Sequence, residues 1–425
     1  MNLALIKNQG TQMNAYDHVR SNNQRVIVKL WNLFAPYLGR NAGCDSEVSV
    51  EKILGKLSSK VDFSAPHVEG LSCLVSSINK TGNLHAFGRF YVNSMLSELL
   101  LNRERLNRFW QAHPEVLSEQ KIVRPVIILG LPRSGTSYLF NLMSQDSEHR
   151  FLRNWETTVS QVPVDMGCDF RKDPRRRKGM YLMWLQNYLA PQLKEIHEFH
   201  LDGPEECTPL LMQSFATQAL AGVFNVPEYS SWLSQVSHDE AYSHHKRILQ
   251  TLQWRYPGRR WLLKSPDHLA AINSILKVYP DACLVHLHRD PLQSVASWAS
   301  LNSAFRGICS QSIDLTQLGR QVLDRLATDM DRYMDERQAW PKSHFYDVHY
   351  DDFIKDPKSI VESIYEYFDL DLKPDSLRRM SDFLLIDTKK VRGHRYRPED
   401  FNLSSDQVDQ RFARYVSRFK VPVIR

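Results

Sequence analysis

The spacing of apolar residues changes near residue 121. Before that point, apolar side chains recur three and four positions apart over 26–38 and 96–110, which predicts amphipathic helices. After it, short apolar runs alternate with helical patterns, which predicts repeated strand–helix units. We therefore expect a helical N-terminal segment, residues 1–120, followed by a larger α/β domain, residues 121–425.

The α/β part contains four apolar runs with the length and composition of buried strands. A helical pattern accompanies each run. Because strand–helix repeats form parallel sheets with right-handed crossovers, we predict an α/β fold with a parallel sheet flanked by helices. The predicted strands are 126–129, 261–263, 282–287 and 345–348, and the predicted helices are 138–144, 268–279, 292–300 and 359–368.

A glycine-flanked loop joins the first predicted strand to its helix. Segment 125–137 directs loop amides and a helix N-terminus at one point, where negative charge is favoured. Gly130 and Gly135 have P-loop spacing, which makes the expected fold P-loop-NTPase-like, but Thr136 stands where an NTPase carries lysine. The cation lies inside the loop instead, as Arg133. The loop therefore suits a small anionic group held by backbone, arginine and hydroxyls.

Positive residues follow the predicted strands at the points where they end. Arg133, Lys264 and Arg289 each fall at or just past such an end, although they are far apart in sequence. Ligands of parallel sheets bind beyond the carboxyl ends of the strands. The topology therefore predicts that these cations meet at one edge of the sheet.

Composition limits the classes of partner. The chain has 425 residues, 42% hydrophobic and 24% charged, and its formal net charge of +6 suits an anionic ligand without identifying one. Basic residues are not interleaved with aromatic ones as on a nucleic-acid surface, so we expect no nucleic-acid partner. The densest basic run, 171–178, is either a solvated helix start or a contact for an anionic surface or acceptor.

Membrane and redox features are sparse. No apolar run reaches the length of a membrane span and no secretory signal is recognisable, so we expect no transmembrane segment. The six cysteines are scattered without a C-x-x-C pair, which argues against a metal or disulfide framework and favours reduced thiols in the cytoplasm. The N-terminal segment is interpreted as a helical cap or a dimerisation element, and a homo-oligomer is left open.

Residues 132–137, Pro-Arg-Ser-Gly-Thr-Ser, resemble the 5′-phosphosulfate loop of sulfotransferases that use 3′-phosphoadenosine 5′-phosphosulfate (PAPS). The resemblance extends over most of 125–415 and is greatest to the larger-bodied, bacterial-type branch of that family. It implies PAPS as co-substrate, a hydroxyl of a small molecule or lipid as acceptor, and no metal. The loop residues that it implies for donor binding are Arg133, Ser134, Gly135, Thr136 and Ser137.

The resemblance also implies a site for the 3′-phosphate of PAPS. Arg289 at a strand end, with Ser297 eight positions later, matches the family's spacing; the alternative is an Arg–Asp ion pair that caps a helix. The basic loop with Arg392 and Gly393 loosely resembles the segment that closes over this phosphate, and an ordinary exposed loop is the alternative. Tyr350 resembles the family's tyrosine near the nucleotide, or is simply packed at a strand end.

Cations are also implied in the chemical step. Sulfuryl transfer leaves negative charge on the bridging oxygen, and a cation placed there stabilises the transition state more than the ground state. The family pattern assigns this role to Lys264, which we expect to share it with Arg133. The alternative for Lys264 is a solvated strand terminus.

The acceptor hydroxyl must lose its proton, so a carboxylate or imidazole should lie beside it. Glu206 is the first candidate for this base and His268 the second. The alternatives are an acidic helix start at 204–206, and for His268 a helix N-cap or a hydrogen-bonded surface histidine. Adjacent acids on a helix cannot both face one pocket, so we expect at most one of Glu205 and Glu206 to be functional.

Two other functions stay open at this point. An ATP-dependent small-molecule kinase would use a similar loop, but Thr136 in the lysine position argues against it. A non-catalytic nucleotide-binding relative would keep the loop without the chemistry. The joint presence of Arg133, Lys264, Arg289 and Ser297 argues against that loss of activity.

Overall fold

Seven strands form two sheets in the part of the chain that the computed structural model describes, residues 26–38, 47–57, 62–163, 169–189, 200–387 and 397–423. The strands are β1 Val126–Gly130, β2 His149–Arg150, β3 Leu152–Arg153, β4 Pro204–Glu205, β5 Arg260–Lys264, β6 Cys283–His288 and β7 Phe345–His349. The main sheet has the order β2-β5-β1-β6-β7 with every neighbouring pair parallel. The remaining two strands, β3 and β4, form an antiparallel pair.

Helices make up most of the rest. The N-terminal helices are α1 Val26–Leu38, α2 Val50–Leu54, α3 Pro66–Thr81, α4 Ala86–Ala112 and α5 Glu115–Glu119. The middle helices are α6 Thr136–Met143, α7 Asn154–Thr158, α8 Arg175–Leu189, α9 Thr208–Leu211, α10 Gln218–Val223, α11 Pro227–Leu233, α12 Asp239–Arg255 and α13 Ile272–Val278. The last helices are α14 Pro291–Cys309, α15 Leu315–Glu336, α16 Tyr350–Lys355, α17 Pro357–Tyr367, α18 Pro374–Asp387 and α19 Ser405–Phe419.

The central strands are buried on both faces, which explains why their sequences are mostly apolar. On β1, Ile127 and Leu129 face a core that includes residues of α12, α13, α15 and α19. Val126 and Ile128 face the opposite core, which includes residues of α6, α17 and α18. The predicted α/β fold with a central parallel sheet is thus confirmed.

The strand order places a crevice at the carboxyl end of β1. The chain leaves β1 towards β2 on one side, with β5 inserted between them, while β6 lies on the other side of β1. Ligands of parallel sheets bind where the connections diverge in this way. The loop after β1 and the residues that end β5 and follow β6 meet at this crevice.

One segment predicted as a single helix forms two elements. Residues 268–279 were expected to be continuous, but Pro266–Ala270 forms a 3-10 turn and α13 starts only at Ile272. Asp267 explains the break, because its Oδ1 accepts hydrogen bonds of 2.6 Å from both Thr217 Oγ1 and the Gln218 amide. These long-range bonds hold the first turn in a tight conformation that the α-helix does not continue.

The described N-terminal residues are helical, as predicted. Most of their buried apolar side chains form a core with residues of α10 and α11, to which Cys309 at the end of α14 also belongs. Leu106 and Trp110 of α4 instead belong to the core on the Ile127 face of the sheet. A domain boundary near residue 120 stays a prediction. None of the helices that the structure describes is both long and apolar enough to cross a bilayer.

Candidate active site

The loop between β1 and α6 has a backbone conformation that favours glycine. Gly130 has a φ of +153° and Gly135 a φ of +96°. A Cβ on Gly135 would lie 2.8 Å from Cδ2 of Tyr350, and a Cβ on Gly130 would lie 2.6 Å from the carbonyl oxygen of Leu287. The loop therefore packs directly against the end of β6 and the residue that follows β7.

The start of α6 is suited to an anion. Gly135 at the N-cap provides no side chain to the helix. The amide of Tyr138 donates to the Gly135 carbonyl at 2.9 Å, while the amides of Thr136 and Ser137 precede the first intrahelical bond. Ser134 is fully buried, and its Oγ has no hydrogen-bond partner within the described ranges. These donors fit a phosphate- or sulfate-like group.

Arg289 connects the end of β6 to this loop. Its Nη1 donates a hydrogen bond of 2.7 Å to the carbonyl oxygen of Arg133, and its guanidinium carbon lies 4.0 Å from the ring centre of Tyr350. Its Nη2 donates to Gln293 Oε1. Arg133 in turn donates from Nε to Ser297 Oγ at 3.2 Å. Residues that are distant in sequence thus form one contiguous set at the crevice.

Lys264 ends β5 with its ammonium between the loop helix and a carboxylate. Its Nζ donates to Ser137 Oγ at 2.9 Å and forms an ion pair with Glu206. The lysine is only 4% exposed, so this carboxylate offsets the cost of burying its charge. A backbone hydrogen bond of 2.9 Å from the Cys207 amide to the Lys264 carbonyl brings Glu206 to this position.

The adjacent acids Glu205 and Glu206 have different environments. Glu205 is buried, and its Oε2 accepts a hydrogen bond of 2.8 Å from Asn154 Nδ2, whereas Glu206 faces Lys264. The helix start considered for 204–206 was wrong, because this segment pairs with β3 as β4 and α9 begins at Thr208. Glu205 is the last residue of β4 and Glu206 follows it, where the Cys207 amide bonds to the end of β5, so the two side chains have different surroundings.

His268 lies inside the protein rather than at its surface. The residue is fully buried, and its Nδ1 lies 2.7 Å from the hydroxyl of Tyr242. Ser265, not His268, is the N-cap of the 3-10 turn. Burial lowers the pKa of the imidazole well below its usual value, so the ring is neutral. The helix N-cap and the surface position considered for His268 were therefore both wrong. Of the two candidate bases, only Glu206 contacts Lys264 among the described residues.

Comparison with known proteins agrees with this geometry. Residues 125–374 match the model of a family described as the sulfotransferase family, and this match spans more than half of the chain. The chain belongs to the sulfotransferase family. Membership sets aside the kinase alternative, because it makes the chain's relatives sulfotransferases rather than phosphoryl transferases.

Several mycobacterial proteins resemble this sulfotransferase along most of its length. The crystal structure of sulfotransferase STF9 from Mycobacterium avium has a TM-score of 0.79 and 28% identity, covering 89% of this chain and 98% of that one. Sulfotransferase STF1 from Mycobacterium tuberculosis has a TM-score of 0.73 and 27% identity, with coverages of 88% and 98%. Omega-hydroxy-beta-dihydromenaquinone-9 sulfotransferase Stf3 from Mycobacterium bovis is 24% identical over 318 residues, 69% of this chain and 74% of the relative.

Some contacts of the site were not predicted, and two predicted residues lie outside the described part of the chain. Arg392 and Gly393, expected to close over the donor, lie outside the described residues, so their role stays a prediction. Gln293 was missed, although its position four residues after Arg289 is a helix spacing that could have indicated the contact. The backbone hydrogen bond from the Cys207 amide to the Lys264 carbonyl joins distant segments, and no local sequence pattern indicates it.

Two histidines and an aspartate cluster on the β6 and β7 strands of this sulfotransferase. His286, His288 and Asp347 each offer a ligand atom within 4.8 Å of the others. Arg337, however, donates to both carboxylate oxygens of Asp347, at 2.7 and 2.8 Å. Burial alone would raise the pKa of Asp347, but hydrogen bonds from His288 and Arg337 lower it well below its usual range. The arginine thus already neutralises the charge that a cation would need.

Proposed function

We propose that this sulfotransferase moves the sulfuryl group of PAPS to a hydroxyl of a lipid or other small-molecule acceptor. The observation that carries the proposal is the linked set of contacts in which Arg289 binds the Arg133 carbonyl and Arg133 binds Ser297. Lys264 reaches the same loop through Ser137. A donor with phosphate at one end and phosphosulfate at the other needs cations distributed along one crevice in this way.

We assign the donor's anionic ends to two groups of residues. Arg289, with its planar fork of donors, and the hydroxyl of Ser297 suit a 3′-phosphate. The ring of Tyr350 lies against the guanidinium of Arg289 and helps to hold it in place. The loop from Arg133 to Ser137 suits the 5′-phosphosulfate, because its amides and the buried Ser134 hydroxyl converge there. Bound PAPS supplies an activated sulfuryl group whose leaving group is adenosine 3′,5′-bisphosphate.

We assign the transfer step to the neighbouring charged groups of Lys264 and Glu206, together with Arg133. The acceptor oxygen forms a bond to sulfur while the bond from sulfur to the bridging oxygen breaks. The hydroxyl proton passes to Glu206, and the electron pair of the broken bond stays on the bridging oxygen. Lys264 and Arg133 stabilise the charge that develops there.

Contact between Lys264 and Glu206 suits this sequence of events. Before transfer, each charge is compensated by the other in a site where the lysine is almost fully buried. As the proton reaches Glu206 its negative charge disappears, while negative charge grows on the leaving oxygen. The ammonium therefore keeps an anionic partner throughout, and no buried charge is left alone.

For the acceptor we propose a hydroxylated isoprenoid quinone or a similar lipid alcohol, modified in the cytoplasm. The relative Stf3 is named for transfer to an omega-hydroxylated dihydromenaquinone. The segment between the loop helix and β5 is rich in aromatic and aliphatic residues, as a pocket for such an acceptor requires.

The proposal is tested by donor binding and by transfer. Titration calorimetry with adenosine 3′,5′-bisphosphate in the presence of EDTA should show binding, and ATP should compete weakly. Sulfate transfer from PAPS is then compared for a hydroxylated isoprenoid quinone, a long-chain alcohol and a simple sugar. We expect sulfated product with the first two acceptors. Binding without transfer to any acceptor would support the non-catalytic alternative.

A further inference from the structure

Helix α8 presents a stripe of large side chains to solvent. Met180 is 54% exposed, and Tyr181 and Trp184 are each 58% exposed. These residues, with Tyr188, lie three and four positions apart and therefore share one face. The Tyr181 and Trp184 rings are stacked with centroids 6.0 Å apart, and those of Trp184 and Tyr188 are 5.8 Å apart. An ordered aromatic surface of this kind is unusual on a protein that meets only water.

The opposite face of α8 is packed against the protein, so the helix that carries the stripe is held in place. Gly179 is buried so closely against α7 that a Cβ would lie 2.7 Å from Cβ of Trp155. Arg175 is buried as well, with Nη2 bonded to Asp173 Oδ2 at 2.7 Å. The helix thus has one face committed to the protein and one aromatic face directed outwards.

Basic residues border the N-terminal end of the stripe. Arg171, Lys172 and Arg177 are exposed, and none of them forms an ion pair with a residue that the structure describes. Arg177 also precedes Tyr181 by four positions, which extends the same face. The aromatic surface is therefore continuous with positive charge that no described carboxylate pairs, which favours an anionic partner that also accepts rings.

We infer that the α8 stripe docks on the surface of a lipid bilayer that contains anionic headgroups. Tyrosine and tryptophan favour the boundary between headgroups and acyl chains, because one end of each ring system is apolar and the other is polar. Arginine and lysine beside such rings bind anionic lipid, and each contributes about 1 kcal/mol. A helix that lies in the interface with an aromatic and a basic portion is the general form of a reversible membrane contact.

Helix α8 is linked to the segment that leads into the candidate active site. Arg176 Nε donates to Asp202 Oδ1 at 3.0 Å, and Asp202 lies just before β4, whose next residue is Glu206. The helix is therefore tied to the segment that carries Glu206, the ion-pair partner of Lys264. Docking would bring that segment to the place where a lipid alcohol is found, although the membrane contact does not depend on the proposed chemistry.

Vesicle flotation tests the inference on the full chain. The probes are vesicles of pure phosphatidylcholine and of an equal mixture with phosphatidylglycerol. We expect flotation with the mixture and much less with pure phosphatidylcholine. Tyr181→Ser and Arg177→Glu should each weaken the partition by about fivefold or more. Their matched controls are Tyr367→Ser and Arg320→Glu, which change exposed residues on other helices and should leave the partition unchanged.

A second readout separates docking from folding and from chemistry. Emission of Trp184, the exposed tryptophan of the stripe, should shift to the blue with anionic vesicles, and Trp184→Phe should remove that shift. Binding of adenosine 3′,5′-bisphosphate should stay unchanged in every variant. Absence of partition into both vesicles, or equal losses in the control variants, would overturn the inference, and neither result bears on sulfuryl transfer.

Discussion

The guanidinium of Arg289 donates a hydrogen bond of 2.7 Å to the backbone carbonyl of Arg133. The bond crosses from the end of β6 to the loop that follows β1, two segments more than 150 residues apart. Arg133 has a φ of +67°, which a residue with a side chain adopts only when its surroundings hold it there. Arg289 is therefore part of what shapes the loop, besides being the expected ligand of the 3′-phosphate.

Replacing Arg289 should weaken donor binding. We expect Arg289→Ala to lower the affinity for adenosine 3′,5′-bisphosphate by about tenfold to 100-fold, because charge-assisted hydrogen bonds contribute about 1.5–3 kcal/mol. Arg289→Lys should recover only part of this, since an ammonium lacks the planar fork. Titration calorimetry measures the effect, with Arg320→Ala as a surface control. Unchanged affinity in Arg289→Ala would remove this residue from the donor site.

Loss of Lys264 should affect turnover rather than binding. We expect Lys264→Ala to lower kcat by about 100- to 1,000-fold, the usual effect of removing one donor that stabilises transition-state charge. The affinity for adenosine 3′,5′-bisphosphate should change by much less. Lys277→Ala, which changes an exposed lysine of α13, is the control and should retain full turnover. A kcat near that of the wild type would show that Lys264 has no role in the chemical step.

The neighbouring acids Glu206 and Glu205 allow a matched comparison. Glu206→Gln keeps the shape of the side chain but removes the proposed proton acceptor, so kcat should fall by about 100-fold or more. Glu205→Gln alters the carboxylate that accepts from Asn154, away from Lys264, and should mainly lower stability. Steady-state kinetics and thermal unfolding of both variants check this. Equal kcat values for the two variants would argue against Glu206 as the base.

Buried histidines should make stability depend on pH. Burial lowers the pKa of His245 to about 3. An unfolded histidine takes up its proton near pH 6.5, so below that value the unfolded chain binds more protons and stability falls as the pH falls. We expect His245→Asn to reduce this slope by about 1.4 kcal/mol per pH unit between pH 6 and pH 4. Urea unfolding at several pH values measures the slope, and no change in it would contradict the neutral, buried state of His245.

Much of the fold follows from local sequence. The run at β1 is apolar throughout and that at β6 is mostly apolar, because both faces of these strands are buried. Asp290 before Pro291 marks the start of α14, where its Oδ1 accepts a hydrogen bond of 3.0 Å from the Leu292 amide. The length of α14 was underestimated, because it continues to Cys309 through contacts with the N-terminal core.

What could not be predicted depends on contacts between distant segments. Strand β4 has only two residues and exists because it pairs with β3 more than 50 residues earlier. Glu205 ends this strand and Glu206 lies just beyond it, and only the fold shows which of them meets Lys264. The placement of Arg133, Lys264 and Arg289 at one crevice could be predicted, because parallel strands carry their carboxyl ends to the same edge.

Sulfuryl transfer by this site is tested by measuring the two products of one reaction together. Purified protein, PAPS and a hydroxylated isoprenoid quinone are incubated with EDTA, and sulfate ester and adenosine 3′,5′-bisphosphate are measured over time. We predict that both products appear in equal amounts and that Lys264→Ala slows both together. Release of adenosine 3′,5′-bisphosphate without any sulfate ester, or neither product with several hydroxyl acceptors, would contradict sulfuryl transfer by this site.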